Sequence, residues 1–386
     1  MIDLIESREK IDAIDRQIVE LFEERMHIAR DVAEYKLSTG KPVFDKEREK
    51  QKLQVLGSMA ENVFYRRAIE ELFTQIMSIS RKYQYRYLSP FHKNSEFTEL
   101  FSVPVNQNTK VAYFGEPGSF SQQAMEEWFG TDVNGTPVAD FRHIMEMVKQ
   151  KEVEFGVLPI ENSSTGGITD IYDLLIEYEN TIIGEHIIKV EQNLLALPGV
   201  EISELNKVYS HPQGIRQSEA FFRDKLEIEL LEEKSTSSAA RKVANDNLRS
   251  QAAIGSLNAA KEYGLSVLAK GINREAQNAT RFIVITNQKW FLKRANKVSI
   301  CFEIPHASGS LYNMLSHIIY NNLNMTKIES RPISGRTWEY RFFIEFDGNL
   351  LEAGVQNALN GLYAETSRLR ILGNFESILE PSKKKE

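Results

Sequence analysis

The chain has 386 residues, with 47 basic and 54 acidic side chains and a formal net charge of −7. At about 150 residues per domain this length implies two or three domains, and charges of both signs interspersed along the chain exclude a nucleic-acid footprint, the short Lys383–Lys385 run notwithstanding. The single cysteine, Cys301, excludes an internal disulfide and is expected to pack in a strand.

At the N-terminus, Met1 to Glu6 carries acids where a signal peptide carries Lys or Arg, and no apolar run approaches membrane-spanning length, so a cytoplasmic protein is expected. From Leu4 to about Tyr87 the pattern is helical. One long amphipathic run reaches Ser38, Gly40 and Pro42 break it, and two runs follow over Lys46–Leu56, with Asp45 as N-cap, and Asn62–Gln84. Ser89 to Asn108 is polar and unpatterned and reads as a linker. From Lys110 to about Asn287 short apolar strands, among them Val111–Phe114, Phe155–Leu158, Lys207–Ser210 and Ile228–Leu231, alternate with helical stretches. That grammar predicts an α/β domain with a largely parallel sheet. From Lys297 to about Phe375 the order is strand, helix, strand, strand, helix, strand, a ferredoxin-like βαββαβ unit, and the last ten residues read as disordered. The expected domains are 1–88, a linker at 89–108, 109–288, 296–376 and a tail at 377–386. The seven histidines show no metal-ligand spacing and no cofactor motif is present, so neither a metal nor a cofactor is expected.

The first helix holds the most informative residue. In seven-residue steps it reads Leu4, Ile11, Ile18, Arg25, Val32, an apolar seam interrupted by a cation, with Lys36 eleven residues beyond Arg25 on nearly the same face. A cation on a face meant for burial needs an anion, because leaving it unpaired costs several kcal/mol. Ser80 and Gln84 continue the stripe Ile69, Phe73, Ile76 of the third run, and Asp45, Arg48 and Glu49 share a face of the second. A plain dimerising hairpin explains the apolar periodicity but not this convergence of polar groups, which a bundle interior tolerates only when a partner or ligand satisfies them. Arg8 lies seventeen residues before Arg25, about 25 Å along a helix, too far to grip the same small molecule within one chain. If Arg8 binds that molecule it must do so in a neighbouring subunit, which predicts an interlocked homodimer.

These residues resemble the all-helical chorismate mutase family, matching its spacing at Arg8, Arg25, Lys36, Asp45, Arg48, Glu49, Ser80 and Gln84. The resemblance implies a three-helix, intertwined-dimer domain that rearranges chorismate to prephenate without covalent catalysis or proton transfer. Arg8, Arg25 and Arg48 would bind the two carboxylates, Lys36 and Gln84 would donate to the ether oxygen as it gains charge, and Glu49 would hold the ring hydroxyl.

Four loops of the middle region end a strand and open a helix: Gly115–Ser121, Glu161–Gly167, His211–Gln213 and Ser235–Ser238. Each alone reads as a helix cap; together, at strand ends, they suit small carboxylates. Neither Gly loop fits a nucleotide motif. With Asn278–Phe282 they resemble the prephenate dehydratase family, through Gly118-Ser119-Phe120-Ser121, Pro159-Ile160-Glu161-Asn162-Ser163, Ser210-His211-Pro212-Gln213 and Thr280-Arg281-Phe282. The resemblance implies a two-lobed α/β domain that removes water and CO2 from prephenate to give phenylpyruvate. It makes Thr280 the key hydroxyl and Ser119, Ser121, Asn162, Ser163, Thr165 and Gln213 contacts, with Arg281 and Phe282 in the same motif and Glu161 and His211 as alternative proton donors.

In the last unit, Gly309 opens a helix and Glu329-Ser330-Arg331-Pro332 ends the second strand. These resemble the ACT regulatory domain attached to prephenate dehydratases, which implies an L-phenylalanine site over Ser308, Gly309, Ser310, Leu311 and Glu329 to Pro332, and feedback inhibition. Gly309-Ser310-Leu311 departs from the family's Gly-Ala-Leu by one hydroxyl. The three resemblances, in this order, match the bifunctional chorismate mutase/prephenate dehydratase family and imply a homodimer or tetramer whose partners are chorismate, prephenate and L-phenylalanine, without nucleic acid or membrane.

Overall fold

A computed structural model describes residues 3–87, 96–274, 277–304, 306–307, 309–333 and 335–378. The chain forms two compact units, Met1–Glu96 with Ile300–Arg370 and Phe97–Ser299 with Ile371–Glu386.

The first unit begins with three helices, α1 (Leu4–Thr39), α2 (Lys46–Ser58) and α3 (Val63–Tyr85). Each starts on a side-chain cap: Asp3 accepts from the amides of Ile5 and Glu6, Asp45 from Arg48, and Asn62 from Tyr65. Gly40 stops α1 in the left-handed conformation. The seam expected to be core along α1 is not buried within this chain. Leu4, Ile11, Ile18 and Val32 are exposed, and only Ala29 and Ala33 are buried in the helix. The apolar period marks a face, and no described residue of this chain covers it.

The second unit starts with β1 (Thr98–Leu100), which lies in the stretch expected to be linker and pairs in parallel with β13 further along the chain. Next come β2 (Lys110–Phe114), α4 (Phe120–Phe129), β3 (Asn134–Val138), α5 (Phe141–Lys149), β4 (Phe155–Asn162), β5 (Gly166–Gly167), α6 (Thr169–Tyr178) and β6 (Thr181–Lys189). There follow β7 (Asn193–Ala196), β8 (Lys207–Ser210), α7 (Pro212–Phe222), β9 (Glu229–Glu232), α8 (Thr236–Asp246), β10 (Gln251–Gly255), α9 (Leu257–Glu262), β11 (Ser266–Ala269), β12 (Ala279–Thr286) and β13 (Trp290–Leu292).

These elements make two lobes rather than one largely parallel sheet. In the first, β2 pairs in parallel with β3 and β4, while β12 runs antiparallel to β4 and β6. In the second, the order is β11-β7-β10-β8-β9, parallel from β10 through β9 and antiparallel around β7. Each lobe has its own apolar core, one around Val111, Phe155 and Val284, the other around Leu194, Val208 and Ile254. The lobes meet at Gly118, whose φ is +79° and whose missing Cβ would lie 2.7 Å from the Cα of Ala259. There Ser256 Oγ donates to the Gly118 carbonyl at 2.7 Å and Tyr263 Oη to that of Pro117 at 2.9 Å. Only glycine permits both that conformation and that approach.

The remaining elements are β14 (Lys297–Glu303), α10 (Ser310–Tyr320), β15 (Met325–Pro332), β16 (Tyr340–Asp347), α11 (Ala353–Glu365) and β17 (Arg368–Phe375), in strand order β15-β16-β14-β17. Cys301 is buried in β14, and burial pushes its thiol pKa up. Of the tail, Ser377 is anchored: its Oγ donates to Glu185 at 2.8 Å, and residues 379–386 lie outside the described ones.

Candidate active sites

A cavity of about 300 Å³ opens among the three N-terminal helices. Its walls include Arg25 and Lys36 from α1, Asp45, Arg48, Glu49 and Lys52 from the start of α2, and Ser80, Arg81 and Gln84 from α3. Seven of the eight residues singled out by spacing thus converge on it; Arg8 is exposed elsewhere on α1. Five cations face two carboxylates, a balance suited to a small dianion.

Burial is the first cause that lowers the pKa values of Arg25 and Lys36, and the nearby acids only partly restore the charged forms. Arg25 Nη1 is buried and has no hydrogen-bond partner among the described residues. Lys36 Nζ donates to the Val43 carbonyl at 2.7 Å, a neutral partner that leaves Asp45 and Glu49 to offset its charge only in part. Gln84 Nε2 donates to Ser80 Oγ at 3.3 Å, so one N–H of the amide remains for a guest, while its Oε1 is buried without a partner among the described residues. Asp45 spends one oxygen on capping α2.

Spacing did not single out Arg81 and Lys52. Lys52 repeats at four residues from Arg48, a signal present in the sequence. Arg81 donates through Nη1 to Glu49 Oε1 and Oε2 at 2.6 and 2.5 Å, so Glu49 already has a cationic partner within the protein.

In the second unit the four polar loops are shared equally between the lobes, two at the ends of β2 and β4 and two at the ends of β8 and β9. At the end of β4, Asn162 acts as a hub. Its Nδ2 donates to Asn278 Oδ1 and Thr280 Oγ1, each at 2.9 Å, and its Oδ1 accepts from the amides of Ser164 and Thr165 at 3.0 and 3.2 Å. Ser163 is tied to the same strand, its amide donating to the Ala279 carbonyl and its Oγ accepting from the Ala279 amide. Ser164 and Asn278 join this cluster although neither was chosen as a site residue.

Ser119 caps α4 by accepting from the Gln122 amide at 3.3 Å, and Ser121 is buried in the first turn. His211 caps α7: its Nδ1 accepts from the Gln213 amide at 3.2 Å, and burial, then Arg216, lowers its pKa. The ring is therefore the neutral tautomer with Nε2–H as its donor. Glu161 lies 3.2 Å from Arg281 Nη2, and Arg281 Nη1 donates to buried Glu185 at 2.9 Å, which also accepts from Lys297 Nζ at 2.8 Å. Burial alone would raise the Glu185 pKa, but Lys297 and Arg281 hold it low. Phe282 is 2% exposed and belongs to the apolar core of the first lobe.

In the last unit Gly309 caps α10 with φ +77°, and Ser310 and Leu311 form its first turn. Glu329 to Pro332 end β15, paired with Phe343 to Tyr340 of β16. Ser308 lies outside the described residues. Among the described residues no cluster of metal-binding side chains occurs, and no helix is long and apolar enough to cross a membrane.

Residues 7–85 match the family model for chorismate mutase type II, and residues 111–290 match that for prephenate dehydratase. The bifunctional chorismate mutase/prephenate dehydratase of Aquifex aeolicus is 30% identical over 384 residues, covering 98% of this chain and 99% of its own. That of Enterobacter agglomerans is 32% identical over 382 residues, covering 97% and 96%. The crystal structure of a prephenate dehydratase from Arthrobacter aurescens in complex with L-Phe, 28% identical, superposes with a TM-score of 0.65 over 70% of this chain and 90% of that one. With both activities matched in one polypeptide and in this order, the chain belongs to the bifunctional chorismate mutase/prephenate dehydratase family.

Proposed function

We propose that the helical cavity carries the rearrangement of chorismate to prephenate and that the Asn162–Thr280 cluster carries the loss of water and CO2 that yields phenylpyruvate. The observation that carries the first assignment is the gathering of Arg25, Lys36, Arg48 and Gln84 from three helices around one cavity. Arg25 and Arg48 bind the carboxylates and hold the folded conformer, which lowers the entropic part of the barrier. Lys36 and the remaining N–H of Gln84 donate to the ether oxygen as the C–O bond breaks. Glu49 holds the ring hydroxyl with lone pairs that Arg81 leaves open, and Asp45 and Ser80 complete the binding surface.

Arg8 enters this site from a second copy of the chain. The exposed apolar row Ile11, Ile14, Ile18, Leu21 and Ile28 on α1 supports an interlocked dimer, since a contiguous apolar row on one helix marks an interaction surface.

In the dehydratase unit Thr280 assists departure of the hydroxyl group, with Ser119, Ser121, Ser163, Thr165 and Gln213 as contacts. Glu161 is engaged by the guanidinium of Arg281 at 3.2 Å, so the neutral Nε2–H of His211 is the better-placed hydrogen-bond donor to the departing hydroxyl, which leaves as hydroxide and takes its proton from water. The C-terminal βαββαβ unit is an ACT-type sensor with L-phenylalanine at Gly309–Leu311 and Glu329–Pro332. Its strand order and the L-Phe complex of the Arthrobacter aurescens enzyme support that reading.

The assignments separate on assay of each step alone. Lys36→Ala should lose chorismate consumption and keep prephenate consumption, and Thr280→Ala should do the reverse; loss of both activities in either variant contradicts the division. Titration with L-phenylalanine, followed by rate and light scattering, should lower dehydratase activity, and an unchanged rate contradicts the sensor.

A further inference from the structure

We infer that Arg81 is a positioning residue for the mutase site, held in place by Glu365 of α11, so that the C-terminal unit sets the geometry of Glu49. This rests on the mutase reading of the cavity above and deepens it.

Arg81 is 6% exposed and lies between Ser80 and Gln84 on α3. Its guanidinium has two carboxylate partners on opposite sides. Nη1 serves both oxygens of Glu49, while Nε and Nη2 donate to Glu365 Oε1 and Oε2 at 2.8 and 3.1 Å. The ring of Phe44 stacks on its face, 4.7 Å from Cζ to centroid. Every edge of the planar group is therefore committed, and it can turn only if one carboxylate moves.

Glu365 is fixed in turn. It accepts from Tyr85 Oη at 3.2 Å and lies 3.3 Å from Nε2 of buried His317 on α10. The bridge thus runs from α10 and α11 through one cation to the acid that faces the substrate cavity. Neither the mutase reaction nor the cavity's charge balance needs this arrangement. Its evident effect is geometric, because Glu49 can approach a ring hydroxyl only from where Arg81 holds it. A displacement of about 1 Å in such a group can cost a hundredfold in rate, since the reacting conformer is held by a few contacts.

The test measures mutase kcat and KM in the full-length chain for Arg81→Lys and Glu365→Gln, each read against the dehydratase rate of the same preparation. A single ammonium cannot bridge two carboxylates, and an amide lacks the charge that anchors the guanidinium. Each variant should lose about tenfold in mutase kcat, with KM changed less because the carboxylate-binding cations are untouched, and should keep its dehydratase rate. In a Glu49→Gln background Glu365→Gln should cost nothing further, as expected when two residues act through one contact. Wild-type mutase kcat in both variants, or an equal loss in the Glu49→Gln background, overturns the tether. Loss of dehydratase activity together with mutase activity in both variants also overturns it, since the bridge would then serve stability alone. A wild-type chain without mutase activity would instead overturn the reading of the cavity.

Discussion

The side-chain amide of Asn162 donates to the hydroxyl oxygen of Thr280 at 2.9 Å, so the hydroxyl proton faces away from that amide. The Oδ1 of the same amide accepts from Ser164 and Thr165, so the Asn162 side chain cannot flip without losing both sets of contacts. With a lone pair of Thr280 engaged by an N–H, its own proton is presented to another acceptor, as help for a departing hydroxyl group requires.

Asn162→Asp reverses that polarity. A carboxylate in place of Nδ2 accepts the Thr280 proton and turns it away from the substrate, so phenylpyruvate formation should fall by about two orders of magnitude while mutase rates hold. Ultraviolet detection of phenylpyruvate from added prephenate checks this, and an undiminished rate would remove Asn162 from the account.

The mutase pH profile follows from the groups around the cavity. Gln84 does not titrate, so activity should not climb on the acid side, and a steep rise below about pH 6 counts against its role. The lowered pKa of Lys36, caused first by burial, means that its charge is lost sooner on the alkaline side than that of an exposed lysine. Rates should therefore decline there. Gln84→Glu should convert the profile to one that rises as pH falls, since only the protonated acid can donate.

Acid stability should carry the signature of Glu365. Burial alone would raise its pKa, but His317 and Arg81 bring it down to about 2. A carboxyl with a depressed folded pKa contributes stability that is complete above its unfolded value, about 4.3, and is lost as pH falls toward the folded one. Urea midpoints should accordingly fall between about pH 4 and 2, and Glu365→Gln should flatten that limb. An unchanged slope would show that the carboxyl is not paired in solution.

Subunit exchange tests whether Arg8 acts across a dimer. Arg8→Ala and Lys36→Ala should each be nearly inactive as mutases. In a mixed dimer one of the two sites draws both residues from unmodified positions. Co-refolding equal amounts should restore about a quarter of wild-type activity, as random pairing in a twofold dimer requires. No recovery, with heterodimers verified, contradicts the shared site.

Helical periodicity carried much of the mutase cavity, because a period of 3.6 residues states which side chains share a face, and Arg25, Lys36, Ser80 and Gln84 were placed that way. It could not say which chain covers the face, and so Ile11 and Ile18 stand exposed where a core seam was expected. Arg81 was missed for a different reason. Its second partner, Glu365, lies 284 residues away, and no local pattern encodes a pairing at that distance. Strand positions in the middle domain were legible from apolar runs, as at Lys207–Ser210, but strand direction was not. The antiparallel placement of β7 and β12 arises from pairing across the sheet and leaves no mark on the period of either strand. The cap at Asp45 was legible because a single side chain suffices to make it, whereas Asn62, read as the first residue of its helix, proves to be the cap before it.

The most direct test of one chain performing both steps is a time course with purified protein and chorismate as the sole substrate. The account predicts that chorismate disappears, prephenate rises and passes through a maximum, and phenylpyruvate accumulates in matching amount. Unconsumed chorismate, in a preparation that still converts added prephenate, would contradict it.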